Sequence, residues 1–378
     1  MLLSDYHETY RDEVRRFMDR VVRPVLDEFD LTRPLPRPEV DELHARFRRH
    51  EIAATEPVQP DGTSDLVATG IFTEELARID ASLQAMASIL FFPNLPMRDL
   101  LDDEQRAAYG HLFGPGRLVA FGLSEPNVGS NPAGLETTAR RSGDGWVING
   151  QKLWTSNATI SDAVLVACRV PEEGGISIFL VDREQYGYDP RPIKCLGMTG
   201  ISTCEVNFAD CLVPGLARLG GPGDGLGRML GLVERGRLNI SFTAVGIAQA
   251  ALDLAVDYAR ERVQFGRPIG SFQLVQELIA DMAVEVAAGR LLALRAAALL
   301  QAKQPARVEV SMAKAYCTEM AVRVTSNGIQ VHGGMGLTRE CRAERYFRDA
   351  RMQTIPDGTT QIHKLVIGRE LLGISALT

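Results

Sequence analysis

Three successive textures along the 378 residues predict an α+β fold in three parts: an N-terminal helical domain over 1–115, a compact antiparallel β-domain over 116–224 and a helical bundle over 225–378. The outer parts repeat apolar residues at helical spacing between charges, whereas the middle part breaks into short apolar runs separated by turn residues. With 45% apolar and 24% charged residues, a chain of this length can bury a substantial core.

Tyr10, Val14, Phe17, Val21 and Val25 recur at helical spacing, and Phe72–Asp80 repeats the pattern. Between them, Glu56-Pro-Val-Gln-Pro-Asp-Gly62 is a loop punctuated by Pro and Gly. Leu118–Phe121 is the first β-like run. Thr137–Ile148 reads as a hairpin turning at Ser142-Gly-Asp-Gly145, Ala163–Cys168 and Ile176–Val181 flank a Glu-Glu-Gly-Gly turn, and Cys204–Phe208 alternates. The Gly-rich stretch Leu219–Gly227 reads as a flexible connection, and its glycines do not follow the frame of a dinucleotide-binding loop. Long Ala/Leu/Val-rich helices are predicted at about 238–263, 272–303 and 307–330, with a last one after Thr359, which together make an antiparallel four-helix bundle.

The net charge of -7 and pI near 5.5 argue against nucleic acid or an anionic membrane as partner. No segment reads as a membrane span, and the charged amino terminus lacks the apolar core of a secretion signal. The cysteines at 168, 195, 204, 211, 317 and 341 form no Cys-x-x-Cys pair and have no histidine at metal-ligand spacing. Reduced thiols in the cytoplasm are the expectation, with no metal. Basic residues are mostly arginine; lysine occurs only at 152, 194, 303, 314 and 364, which reads as coding bias.

Three short stretches carry chemistry. Phe121-Gly-Leu-Ser-Glu-Pro-Asn-Val-Gly-Ser-Asn131 ends a strand in a hydroxyl residue and a tight Gly-Ser turn, whose N–H groups and hydroxyls can hold a flat polar ring edge or a pyrophosphate. Asn149-Gly-Gln-Lys-Leu-Trp-Thr-Ser-Asn157 sets an indole beside two hydroxyls, suited to stacking on such a ring, although in isolation a core tryptophan is the preferred reading. Ile355-Pro-Asp-Gly-Thr-Thr-Gln-Ile-His-Lys364 places a carboxylate before a helix that Thr359 or Thr360 can cap, so Asp357 can serve the helix dipole alone or do chemistry. His363 is expected at the surface or in a capping role.

Taken in order, these and further motifs resemble the acyl-CoA dehydrogenase flavoproteins over almost the whole chain. The resemblance runs from Arg11-Asp-Glu-Val-Arg-Arg-Phe17 through Glu74-Glu-Leu-Ala-Arg78, Ser124-Glu-Pro126, Gly150-Gln-Lys-Leu-Trp154 and Val206-Asn-Phe-Ala-Asp-Cys-Leu-Val-Pro214. It continues through Ala259-Arg-Glu-Arg-Val-Gln-Phe-Gly266 and Gln330-Val-His-Gly-Gly334 to Asp357-Gly-Thr-Thr-Gln361. It implies that Leu123 and Ser124 line an FAD isoalloxazine, that Gly129 and Ser130 sit at its phosphate and the acyl-carrier side, and that Trp154 covers one flavin face with Thr155 and Ser156 at its edge. Arg262, Phe265, Phe272 and Gln273, with the loop of Gln330, Val331, His332, Gly333 and Gly334, would hold the adenine and pyrophosphate of a neighbouring subunit's FAD, making a homodimer or homotetramer part of the cofactor site. Thr359 and Gln361 would close over the same cofactor, while Ser130, Glu234, Arg237 and Gly358 would line the substrate.

By the same resemblance, Asp357 is the base that removes the α-proton of an acyl thioester, of CoA or acyl carrier protein, while hydride leaves the β-carbon for flavin N5. Electrons would pass on to an acceptor protein or to oxygen. The family usually has glutamate at this position, an aromatic residue where Pro356 stands, aspartate at Asn131 and, in many members, arginine within Met198–Gly200. Relatives that place the base on the preceding long helix would do so at Gly236, which has no carboxylate. Flavin oxidases of this fold, including nitroalkane oxidases with an aspartate base, and enzymes acting on oxygenated acyl units in secondary metabolism are the alternatives, with a non-catalytic flavin-binding protein as a third.

Overall fold

The computed structural model describes residues 3–54, 56–92 and 95–376; Leu95 is described by its backbone only. The main amino-terminal helices are α1 (Asp5–Phe17), α2 (Arg37–Phe47), α3 (Leu66–Ile79) and α4 (Asp103–Tyr109). Ser4 opens α1 with a capping box shared with His7. The predicted apolar stripe holds through Tyr10, Val14 and Phe17 and then shifts: Met18 and Val22 are buried in place of Val21 and Val25. A π-helical turn over Met18–Val22 is the cause, since its wider turn rotates the buried face by about one residue.

The middle part is an eight-stranded sheet of β1 (Val119–Gly122), β2 (Thr138–Ser142), β3 (Gly145–Ser156), β4 (Ala163–Val170), β5 (Gly175–Asp182), β6 (Asp189–Ile193), β7 (Thr203–Pro214) and β8 (Arg218–Leu219). Both predicted hairpins form, with Ser142 opposite Gly145 across one turn and Val170 opposite Gly175 across the other. The sheet is not wholly antiparallel as expected, because β1 runs parallel to β4 and β2 touches β4 in the same sense. Strand β4 is buried on both faces: Val164, Val166, Cys168 and Val170 pack with Trp146 and Phe179, whereas Ala163, Leu165 and Ala167 pack against Tyr109, Leu112, Phe113 and Met229. The long apolar run of β4 reflects this double burial.

Helices α5 (Gly225–Glu261), α6 (Gln273–Gln301), α7 (Arg307–His332), α8 (Ala343–Gln353) and α9 (Thr360–Leu372) complete the chain. Among the described residues the carboxy-terminal part therefore has five α-helices, α8 in addition to the four expected. The polar, Arg-rich sequence of α8 hides its short buried stripe of Tyr346, Asp349, Ala350 and Gln353. The Gly-rich connection ends sooner than predicted, since α5 begins at the buried Gly225, which packs so closely on Ser177 that a Cβ would collide with its backbone. By length and composition α5 could cross a membrane, which the sequence reading did not anticipate, but 61% of its most apolar window is buried. It serves as the central core helix. One continuous apolar core joins the amino-terminal helices to the carboxy-terminal ones, with Phe72, Leu76, Phe242, Val245, Met320 and Val324 among its members.

Candidate functional site

The β-side of the site is built on a buried ion pair. Lys152 on β3 and Glu125, just beyond β1, are 2.6 Å apart and both almost fully buried. The carboxylate also accepts the N–H groups of Glu136 at 2.6 Å and Thr137 at 3.0 Å, and the ammonium donates to the Leu123 carbonyl at 3.2 Å. Burial works to raise the Glu125 carboxyl, but the Lys152 ammonium and the backbone donors together hold it below its ordinary value. The Leu153 N–H donates to the Ser124 carbonyl at 2.8 Å, so half-buried Leu123 and Ser124 are fixed against β3 next to Trp154.

Between Lys152 and Thr155 the pairing of β3 with β7 slips, and Trp154 takes a left-handed backbone at φ 61°. This bulge turns the indole outward, 57% exposed, and sends Thr155 inward, fully buried with no hydrogen-bond partner for Oγ1. A buried hydroxyl without a partner is costly and marks where an external group completes the bonding. An exposed indole, the orphaned Thr155 Oγ1, exposed Ser156 and the exposed turn at Gly129 and Ser130 together fit a flat ring with a polar edge.

The helical side centres on the turn between α8 and α9. Thr359 caps α9, its Oγ1 accepting the Ile362 N–H at 3.4 Å, so Asp357 is free of the capping task. Asp357 is held at φ 54° and Gly358 follows at φ 102°. Its carboxylate lies over Gly236 of α5, where any Cβ would overlap Oδ2, and among the described residues no hydrogen bond to that carboxylate is formed. Arg237 Nε donates to the Asp357 carbonyl at 2.9 Å, and Lys314 Nζ on α7 donates to the carbonyls of Gly358 at 2.6 Å and Thr354 at 3.2 Å. Burial pushes the Asp357 carboxyl up to about 6, restrained by the charges of Lys314 and Arg237. Lys314 is itself lowered to about 8 by burial.

His363, expected at the surface, is fully buried below this turn with neither ring nitrogen partnered. Burial and the two cations lower it to about 3, so it is neutral. The two sides are joined by the segment around Met198–Ser202. The Asn157 N–H donates to Ser202, the Met198 N–H donates to Asp349 of α8 at 2.5 Å, and Gln353 Nε2 donates to Met198 Sδ at 3.1 Å.

The remaining expected cofactor residues lie elsewhere. Arg262 ends α5 about 25 residues after Arg237, roughly 37 Å along the helix, beyond the span of the base turn. Beyond it, β9 (Val263–Gln264) and β10 (Arg267–Pro268) form a small hairpin whose tip, Phe265, is 93% exposed, with the Phe272 ring 6.0 Å away and Gln273 exposed. Gln330, Gly333 and Gly334 are exposed at the end of α7. Val331 instead packs in the helical core, while His332 stacks on Tyr258 at 4.4 Å and donates its Nδ1–H to the Gly328 carbonyl, 2.7 Å away. Glu234 and Arg237 are half-buried on the first third of α5, Thr359 is half-buried, and Gln361 is exposed. Sequence reasoning missed Glu125, Lys152 and Lys314; the scarcity of lysine was the available signal.

A three-part chain whose β-domain exposes an indole beside hydroxyls has groups that suit a flat, polar-edged cofactor ring. The chain matches the acyl-CoA dehydrogenase N-terminal domain over 4–111, the middle domain over 120–211 and the C-terminal domain over 223–372. It is 36% identical to the human mitochondrial short-chain specific acyl-CoA dehydrogenase, covering 98% of this chain and 91% of that one. Among solved structures, a glutaryl-CoA dehydrogenase from Mycobacterium smegmatis in complex with FADH2 superposes with a TM-score of 0.89 at 27% identity, covering 100% and 97% of the two chains. The prolyl acyl carrier protein oxidase AnaB superposes with 0.86 at 26% identity, covering 98% and 100%. The chain belongs to the acyl-CoA dehydrogenase family and is an FAD-dependent oxidoreductase.

Proposed function

We propose that this protein dehydrogenates an acyl thioester between its α- and β-carbons, with Asp357 as the base for the α-proton. The observation that carries this reading is the state of that carboxylate: half-buried, unbonded, raised to about 6 and held on a strained turn by Arg237. Burial makes it a stronger base than an exposed aspartate, yet it remains ionised at neutral pH. FAD, when bound, accepts the hydride released from the β-carbon. Trp154 and the Thr155 and Ser156 hydroxyls would hold and orient its ring, together with Leu123 and Ser124. Arg262, Gln273 and the Gln330–Gly334 loop serve a neighbouring protomer's FAD, which makes the working unit a homodimer or homotetramer; their distance from the base turn along α5 supports this.

Replacing Asp357 by Asn keeps the shape and removes the base. Anaerobic flavin reduction by the best substrate in a panel of CoA and carrier-protein thioesters should fall about 10²–10⁴-fold, with FAD content unchanged. A wild-type rate in that variant would end the assignment. The likeness to a carrier-protein oxidase, together with aspartate in place of the longer glutamate, favours a second reading in which the thioester is presented by a carrier protein and oxygen takes the electrons. Reduction by carrier-protein thioesters only, followed by fast reoxidation in air, would select it; reoxidation that requires an electron-transferring flavoprotein would select the dehydrogenase.

A further inference from the structure

We propose that Lys314 is a positioning residue for the base: from beneath, it clamps the turn that carries Asp357 and supplies the charge that keeps the carboxylate ionised. The inference rests on Asp357 being the base.

Lys314 is completely buried on α7, where an ammonium costs several kcal/mol unless its environment answers it. Among the described residues no carboxylate bonds it. Its hydrogen-bond acceptors are the carbonyls of Thr354 and Gly358, one on each side of Asp357. The turn needs such an anchor. A non-glycine residue at φ 54° followed by glycine at φ 102° is a conformation that local sterics disfavour by about 1 kcal/mol or more, and it persists only when neighbours impose it. Arg237 imposes it from α5 through the Asp357 carbonyl, and Lys314 imposes it from α7 through the next carbonyl along.

The charges around Lys314 come from four elements. Glu319 on α7 is engaged at 2.5 Å by Thr360 Oγ1, Arg237 approaches from α5, Asp357 lies in the turn, and neutral His363 closes the space from α9. Asp357 is thus the carboxylate that the ammonium chiefly acts on, and of the two cations that oppose its burial Lys314 contributes more. The signs follow. Asp357 is competent only when deprotonated, so the rate rises with pH through about 6. Lys314 holds its charge only below about 8, but above that Asp357 is already ionised and the neutral amine still has N–H groups for the Gly358 carbonyl, so the charge acts on the acid limb alone.

The test uses full-length, FAD-loaded protein with butyryl-CoA as probe, or whichever panel thioester reduces the wild type fastest. Lys314→Met removes both donor and charge; Lys314→Gln keeps a donor for the Gly358 carbonyl without the charge. In both, the acid limb of the pH–rate profile should move up by about 1 unit or more, because an opposite charge at close range has been withdrawn. The limiting rate at high pH should fall about 10–10²-fold in the Met variant and be largely restored in the Gln variant, because only the former frees the turn. A purely structural lysine would change the melting temperature and leave the acid limb where it is; that result in both variants overturns the proposal. Should neither variant retain FAD, the wild type decides: an acid limb near 6 supports a cation restraining the buried carboxylate, and one at about 8 or above, as for a buried carboxylate with no cation beside it, overturns it. An active Asp357→Asn protein would sink the base assignment itself, whereas an inactive one beside unmoved lysine variants would sink only the role of Lys314.

Discussion

Each half of the site contains one fully buried lysine, and the two are used in opposite ways. Lys152 meets a buried carboxylate at 2.6 Å, and Glu125 is in turn saturated by two backbone N–H groups, so the charges cancel and the network has nothing left to give. Lys314 meets carbonyl oxygens at its bonding distance, and its charge remains available to a carboxylate that has no hydrogen bond of its own. A neutralised buried charge holds a shape; an uncancelled one adjusts the proton affinity of its neighbour. The proposed cofactor surface calls for the first property and the proposed base for the second.

The largest expected effect comes from unbalancing the closed network. Lys152→Met leaves Glu125 buried without its cation and should destabilise the protein by about 3–5 kcal/mol, with loss of FAD, measured by denaturant unfolding and flavin content. Adding Glu125→Leu should return most of that stability, because the whole pair is then removed rather than one partner. Stability as low in the double variant as in the single would show that the pair does more than cancel itself. Lys314→Met, by contrast, frees two carbonyls and relieves a buried ammonium, so its cost in stability should stay near 1–3 kcal/mol.

The next effect sharpens the helical side. Gly236→Ala puts a methyl where Asp357 Oδ2 now lies. Alanine suits a helix better than glycine by about 1 kcal/mol, so the melting temperature should hold or rise while flavin reduction falls roughly 10²-fold through a displaced base. Normal turnover in this variant would mean that the carboxylate has another productive position. The smallest effect belongs to the cofactor surface: Thr155→Val replaces an orphaned hydroxyl with an isosteric methyl and should leave the apoprotein as stable or slightly more so. FAD affinity should drop about 10-fold, as one hydrogen bond is lost, measured by titration of apoprotein with FAD.

The two halves were also unequally legible in the sequence. The strands were visible because β4 and β5 carry apolar runs bounded by Gly-rich turns, and the Ser142–Gly145 hairpin follows from local turn chemistry. The long helices from about 238 onward were visible from periodicity, whereas α8 was not, because its charged residues outnumber its buried apolar ones, Ala343, Tyr346 and Ala350. The outward turn of Trp154 depends on a bulge against β7, some fifty residues away, and no local pattern announces it. Lysine ordinarily reads as surface, so burial of two of the five could not be drawn from their neighbours, and the scarcity was taken as coding bias. The motif around Asp357 was recognisable, but its contact with Gly236 spans more than a hundred residues and is a property of the packed helices alone. His363 was misplaced for the same reason.

The overlap between the Asp357 carboxylate and the space above Gly236 makes the two positions evolve as one unit. A lineage that enlarged residue 236 first would displace its own base, and one that lengthened residue 357 first would push the longer carboxylate against α5 while glycine still stood there. The two enlargements compete for the same space, so each worsens the other, a case of epistasis imposed by a single van der Waals contact. The carboxylate proposed as the base thus keeps its place through the hydrogen atom that stands for a side chain on the opposite helix.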